Sequence, residues 1–179
     1  SSDATNIRTS IRRDGEHYVI NGRKWFITGA SHPNCRLAVV MGLTEGLADE
    51  QAHSSAHAHA RHSIVLVPMD TPGLEVVRNV PIMQHAFPEG HCELLFRDAR
   101  VPVANLVGTE GQGFALAQAR LGPGRVHHCM RTIGQCELAL DLMCERALSR
   151  RTFGKALSEH ANVQDWIAHS RVEIEQARL

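Results

Sequence analysis

The sequence predicts an α+β protein: an antiparallel β-barrel or sandwich over residues 1–107, then the first helices of an up-down helical bundle over residues 108–179. Three observations carry that expectation. Short alternating or β-branched runs, divided by Gly and Pro, fill the N-terminal part with no helical period among them. The pattern changes after Val101-Pro102, which reads as a linker. Beyond it Val126, Met130, Ile133, Cys136, Leu140, Met143 and Ala147 recur at spacings of three or four, the mark of an amphipathic helix. Residues 124–149 would make a helix of about 40 Å at 1.5 Å per residue, a bundle length.

The elements follow in order. Ile7, Thr9 and Ile11 alternate with Arg8, Ser10 and Arg12, as a half-buried strand requires. Asp14-Gly15 is a turn signal before a strand at 17–20. Asn21-Gly22 predicts a tight hairpin, because both residues tolerate positive φ, with 23–27 as the returning strand. Runs at 37–41, 63–67, 74–78 and 92–96 complete the set. Residues 44–62, with an Ala/His/Ser-rich centre, have no apolar periodicity and read as a hairpin-loop insertion. A short helix at 113–121 precedes the long one, which Pro123 opens from its first turn, where a missing N–H costs nothing. Gly154 marks its stop. A further helix begins near Asn162, with Trp166, Ile167, Ser170, Ile174 and Ala177 near one face. The chain opens at Ser1 inside a motif and ends in mid-helix pattern, as expected of a fragment cut at both ends.

Composition excludes several function classes. Lys plus Arg and Asp plus Glu both number 19, so no net field draws nucleic acid or an anionic membrane. No apolar run approaches the roughly 20 residues of a membrane span, and no signal peptide is visible. Five cysteines, odd in number and without paired spacing, point to a reducing intracellular compartment and to buried structural thiols. Gly111-Gln112-Gly113 lacks the third glycine of a dinucleotide fingerprint, that place being Leu116. His127-His128-Cys129 is not expected to hold a metal, because consecutive helical residues point about 100° apart. His53, His57, His59 and His62 of the insertion could gather zinc only adventitiously.

Four strings carry chemistry: Ser1-Ser2-Asp3; Trp25-Phe26-Ile27-Thr28-Gly29; LGPGR-x-HHCMR from Leu121 to Arg131; and Arg150-Arg151-Thr152-Phe153-Gly154-Lys155. In this order they resemble the acyl-CoA dehydrogenase family, from its middle β domain into its C-terminal helical domain, over essentially the whole chain. The LGPGR-x-HHCMR string is similar to that of the subgroup holding family members ten and eleven, which brings long, branched or hydroxylated acyl chains into view. The resemblance implies FAD as cofactor and an acyl-CoA as substrate. It implies α-proton removal by a carboxylate, β-hydrogen transfer to the flavin, and an electron-transferring flavoprotein as acceptor.

Site residues follow from the same resemblance. Phe26 corresponds to the aromatic beside the flavin ring, and Thr28, with the main chain near Ile27, to the flavin's hydrogen-bonding partners. In a regular strand Trp25 and Phe26 would instead face opposite ways. Ser2 corresponds to the serine of a Gly-Ser-Asp sequence, with Ser1 in place of the glycine, contacting both flavin and thioester. Arg150, Thr152, Phe153 and His160 correspond to contacts with the flavin of a neighbouring subunit. That implies a homodimer or homotetramer, since the guanidinium suits a pyrophosphate and the ring an adenine. Arg125 corresponds to an arginine beside the acyl pocket. Some members place their catalytic glutamate one position earlier. Gly124 cannot act as a base, so the base is expected beyond Leu179 and no catalytic residue is assigned here. The implied location is mitochondrial or peroxisomal in a eukaryote and cytoplasmic in a bacterium. Two other readings stay open: an acyl-CoA oxidase, which differs in letting oxygen reach the reduced flavin, and a non-catalytic β-barrel and helix module serving assembly.

Overall fold

The structure is a computed structural model that describes residues 3–47 and 60–179. Ser2 and the insertion histidines His53, His57 and His59 lie outside the described residues. Strands β1 (Ser10–Asp14), β2 (His17–Thr28), β3 (Leu37–Thr44), β4 (His62–Pro68), β5 (Leu74–Asn79), β6 (His91–Pro102) and β7 (Leu106–Val107) come first. Helix α1 (Gly113–Ser149), the short strands β8 (Arg151–Thr152) and β9 (Lys155–Ala156), and helix α2 (Ala161–Arg178) follow. A β-sheet domain followed by helices is the expected α+β class. The chain divides into two compact units, Ser1–Ala119 and Arg120–Leu179.

In the first unit the strands form one seven-stranded sheet ordered β5-β6-β2-β1-β3-β4-β7. Every pairing is antiparallel except β1 with β3, which is parallel over Ser10↔Leu43 and Ile11↔Thr44. Alternate residues turn inward to a core that includes Ile11, Tyr18, Ile20, Val40, Val65 and Phe96, all essentially inaccessible. Tyr18 keeps its hydroxyl satisfied by donating to Glu110 Oε1 at 2.5 Å. Burial first, and that bond to a carboxylate second, push its phenol up to about 12.

The hairpin expected at Asn21-Gly22 does not form. Both residues lie inside β2, a continuous 12-residue strand. The physical reason is a close approach. Gly22 has φ 135°, and a Cβ there would stand 2.7 Å from Thr9 Cα. Opposite it, β6 carries one extra residue, since Ile20 pairs with Ala99 but Gly22 with Phe96. Asn21 clips that bulge: its Nδ2 donates to Asp98 Oδ1 at 2.9 Å, and its Oδ1 accepts from the Asp98 N–H at 2.8 Å. Asn-Gly here serves a bulge rather than a turn. Val101-Pro102 is likewise no linker but the end of β6, with Val101 in the core. His62 does not belong to a solvated loop, being fully buried at the start of β4.

The helical part also differs in detail. The short and long helices expected on either side of Pro123 are one 37-residue helix with Pro123 inside it. The residue before a proline is normally driven from helical geometry by its own Cβ. Gly122 has none, so only one hydrogen bond is lost and the helix continues. Gly154 does not stop α1, which ends at Ser149. It turns the β8–β9 hairpin, with Phe153 at φ 50° and Gly154 at φ 80°. Cys92 is the buried thiol among the five cysteines. Cys35 and Cys144 are half-buried, and Cys129 and Cys136 are exposed. The expectation of buried thiols fails on α1 because, within the second unit, only Leu140, Ala147 and Ile174 are buried apolar residues among those described. Arg171 donates to both oxygens of Glu137 at 3.0 and 2.9 Å, and Arg178 joins the same carboxylate, tying α2 to α1. Among the described residues no helix is long and apolar enough to cross a membrane.

Candidate functional site

The residues expected to meet a flavin ring sit on a second β-bulge. Lys24 pairs with Leu94 and Ile27 with Cys92, so Trp25 and Phe26 together oppose one residue, Glu93. Phe26 takes up the extra residue in the left-handed region, at φ 56°, a conformation that costs a non-glycine residue roughly 1–3 kcal/mol. The strand alternation is thereby broken. Trp25 and Phe26 no longer face opposite ways but stack, with ring centroids 4.5 Å apart and planes 23° from parallel. Both rings are about half exposed, 55% and 49%. Exposed aromatic surface on a strained backbone marks the bulge as a candidate site. After the bulge alternation resumes. Ile27 packs against the core and pairs with Cys92 of β6, while Thr28 is exposed.

Around this bulge lie groups that sequence reasoning missed. Glu93 is buried and meets two guanidinium groups: Arg78 Nε donates to it at 2.6 Å, and Arg23 lies on its other oxygen. Arg78 first, and Arg23 with it, hold its carboxyl below the ordinary carboxylate range. Glu93 thus binds both neighbouring strands where each carries a bulge, since β5 is also irregular between Val76 and Arg78. A cleft of about 360 Å³ lies beside the rings, its lining including Arg8, Thr9, Arg23 and Lys24. Lys24 has no ion-pair partner among the described residues, and burial pushes its ammonium down to about 8. At the end of the strand, Thr28 Oγ1 stands 2.9 Å from His91 Nδ1. Neither Lys24 nor His91 announces itself in one sequence, for both lie within ordinary strand pattern.

In the second unit the structure gathers Arg150, Thr152, Phe153 and His160 at the end of α1. The β8–β9 hairpin closes on a two-residue turn with both central φ angles positive, the primed geometry that matches strand twist. Phe153 occupies the turn and is 97% exposed. Thr152 Oγ1 and His160 Nε2 are 3.4 Å apart, and His160 sits at the start of α2. The Arg150 main chain closes the corner, donating to Arg146 O at 3.0 Å and accepting from the Leu157 N–H at 2.8 Å. Its exposed side chain makes no bond to a described residue. An unpaired guanidinium, a hydroxyl–imidazole pair and a bare ring form a donor set that fits a pyrophosphate and an adenine. Arg125 is exposed on the same helix, but 25 residues before Arg150 it stands about 37 Å away at 1.5 Å per residue. The structure therefore does not bring it together with the hairpin group. His127 and His128 have ring centroids 6.1 Å apart, tilted by 59°.

Comparison with known proteins agrees with this arrangement of parts. The family profile "Acyl-CoA dehydrogenase, middle domain" matches residues 1–99, and "Acyl-CoA dehydrogenase, C-terminal domain" matches residues 111–179. The chain is 52% identical over 181 residues to acyl-CoA dehydrogenase family member 11 of Gallus gallus, covering all of this chain and 22% of that protein. It is 53% identical over 179 residues to the Mycobacterium tuberculosis protein named "Probable acyl-CoA dehydrogenase FadE2", covering all of this chain and 42% of that one. The crystal structure of acyl-CoA dehydrogenase from Geobacillus kaustophilus matches with a TM-score of 0.80 at 31% identity, over 99% of this chain and 44% of that chain. The chain thus spans less than half the length of these relatives.

Proposed function

Because the chain belongs to the acyl-CoA dehydrogenase family, we propose that its full-length protein is an FAD-dependent dehydrogenase that converts an acyl-CoA thioester to the 2-enoyl thioester and passes the electrons to an electron-transferring flavoprotein. The observation that carries this reading is the strained bulge that turns Phe26 outward beside Thr28. When bound, FAD supplies the hydride acceptor for the substrate's β-hydrogen. The chain's own residues do the positioning. Phe26 offers a flat apolar wall that excludes water from one side of the reacting centre. Thr28 and the main chain near Ile27 offer hydrogen-bonding groups at its polar edge, and the resemblance assigns Ser2 to the thioester side. Arg125 lies beside the acyl pocket, where Gly124 leaves room and supplies no base. The α-proton would go to a carboxylate supplied by another part of the full-length protein. Arg150 and His160 would hold the phosphates of a second subunit's FAD, Thr152 would support His160, and Phe153 would offer its ring to the adenine. The separation between Arg125 and that hairpin supports the shared-site reading, which requires at least a homodimer.

The test uses the full-length protein. It should purify yellow or take up FAD, and its visible band should bleach on anaerobic addition of an acyl-CoA. A colourless protein that FAD cannot reconstitute sinks the reading and favours an assembly module. Reoxidation by oxygen as fast as by an electron-transferring flavoprotein would make it an oxidase.

A further inference from the structure

Thr28 and His91 are direct partners in the β2–β6 pairing, so their side chains leave the sheet on one face. Oγ1 and Nδ1 meet at 2.9 Å. A threonine hydroxyl has one proton and two lone pairs. If that proton is donated to Nδ1, only lone pairs remain for whatever else approaches Thr28. If Nδ1 carries the proton, it donates to Oγ1 and the hydroxyl proton is free to point away from the strands. The imidazole thus decides whether Thr28 presents a donor or an acceptor. Its ring is held for the task. Phe87 packs edge-on against it, with centroids 5.1 Å apart at 74°. Just before it, Gly90 O accepts from the Gly29 N–H at 3.1 Å, which locks the end of β2 to the start of β6.

Resting on the reading of Thr28 as a flavin contact, we propose that His91 is a positioning residue whose Nδ1–H donates to Thr28 Oγ1 and so turns the threonine proton toward the flavin. The N5 edge of an oxidised flavin is an acceptor. A hydroxyl whose proton is spent elsewhere would meet it lone pair to lone pair. A hydroxyl with no neighbour would be free to rotate, and binding would have to order it.

The experiment reconstitutes the full-length apoprotein with FAD and measures both the FAD dissociation constant and the visible flavin spectrum. Thr28→Val should weaken FAD by about two- to tenfold, the worth of one hydrogen bond, and shift the band. His91→Gln carries its amide where Nε2 stood and leaves the Nδ1 place empty. It should show most of the same loss and shift. His91→Asn, whose amide can donate from the Nδ1 place, should stay near wild type. The double variant Thr28→Val with His91→Gln should lose no more than Thr28→Val alone. All four variants should melt with the wild-type apoprotein, which separates positioning from folding. Wild-type affinity and spectrum in His91→Gln beside a clear loss in Thr28→Val would overturn the role of His91 and leave the flavin reading standing. Equal losses in His91→Gln and His91→Asn, or an additive double variant, would overturn it in favour of packing. No effect of Thr28→Val would remove the flavin contact itself, and this proposal with it.

Discussion

Lys24 is costly where it stands. Its ammonium lies in partly apolar surroundings at the bulge, and burial pushes it from 10.5 down to about 8. Between those two values the folded protein binds fewer protons than the unfolded chain, so stability rises with pH across that window. Below pH 8 the desolvation cost stands in full. Lys24→Met keeps the stem and removes the charge. It should raise stability at pH 7 by on the order of 1–3 kcal/mol, and its advantage should close by about pH 10.5. Melting curves of the two proteins across pH 7 to 11 read this directly. A less stable variant at neutral pH would show that the amine meets a counter-charge outside the described residues. Glu93 is the contrasting case. Its charge is kept by Arg78 and Arg23, so the stability it contributes is present above the ordinary carboxylate range and lost as pH falls through its lowered value.

Among the elements, β2 and the β8–β9 hairpin carry strain in different ways. Gly22 is glycine for two reasons, a φ of 135° and the Thr9 backbone 2.7 Å from where a Cβ would stand. Gly22→Ala should therefore cost roughly 2 kcal/mol or more. Gly134→Ala, in mid-helix with nothing within 4 Å of the new methyl, should instead stabilise by about 0.5–1 kcal/mol. Equal melting temperatures for the two variants would show that the close approach at β2 is relieved at no cost. In the hairpin, Phe153 holds a positive φ while almost wholly exposed, so the ring is kept at the expense of the turn. Asn is the natural residue for that geometry. Phe153→Asn should stabilise the apoprotein by about 1 kcal/mol and weaken FAD binding in the assembled protein. A variant that binds FAD as wild type would show that the ring meets no cofactor.

For the whole molecule, the proposed function entails a cofactor site shared between copies. Arg150 offers a guanidinium with no bond to any described residue of its own chain. Arg150→Ala should weaken FAD retention by roughly ten- to a hundredfold, a charge-assisted bond contributing about 1.5–3 kcal/mol, with little change in folding. The loss should be confined to protein that remains assembled, as FAD titrations above and below the dissociation concentration of the oligomer would show. Unchanged affinity in a folded, assembled variant would reduce Arg150 to closing the end of α1.

What the sequence determined by itself was local and periodic. Alternation over 7–12 overlapped β1, short apolar runs marked the inner strands, and the three–four spacing placed α1 and α2, because burial leaves its period in the chain. The ordered strings at 25–29, 121–131 and 150–155 carried the family. Tertiary structure alone decided where that period breaks. Asn21-Gly22 became a strand interior once Thr9 came within contact of Gly22. Gly154 turned a hairpin instead of ending a helix, and Pro123 stayed inside α1 beside a glycine. The stacked rings of Trp25 and Phe26, the carboxylate of Glu93 between Arg23 and Arg78, and the contact of Thr28 with His91 join residues up to 70 positions apart. Those positions meet through strand register and bulges, and register is a property of the paired sheet, which no single strand's pattern contains.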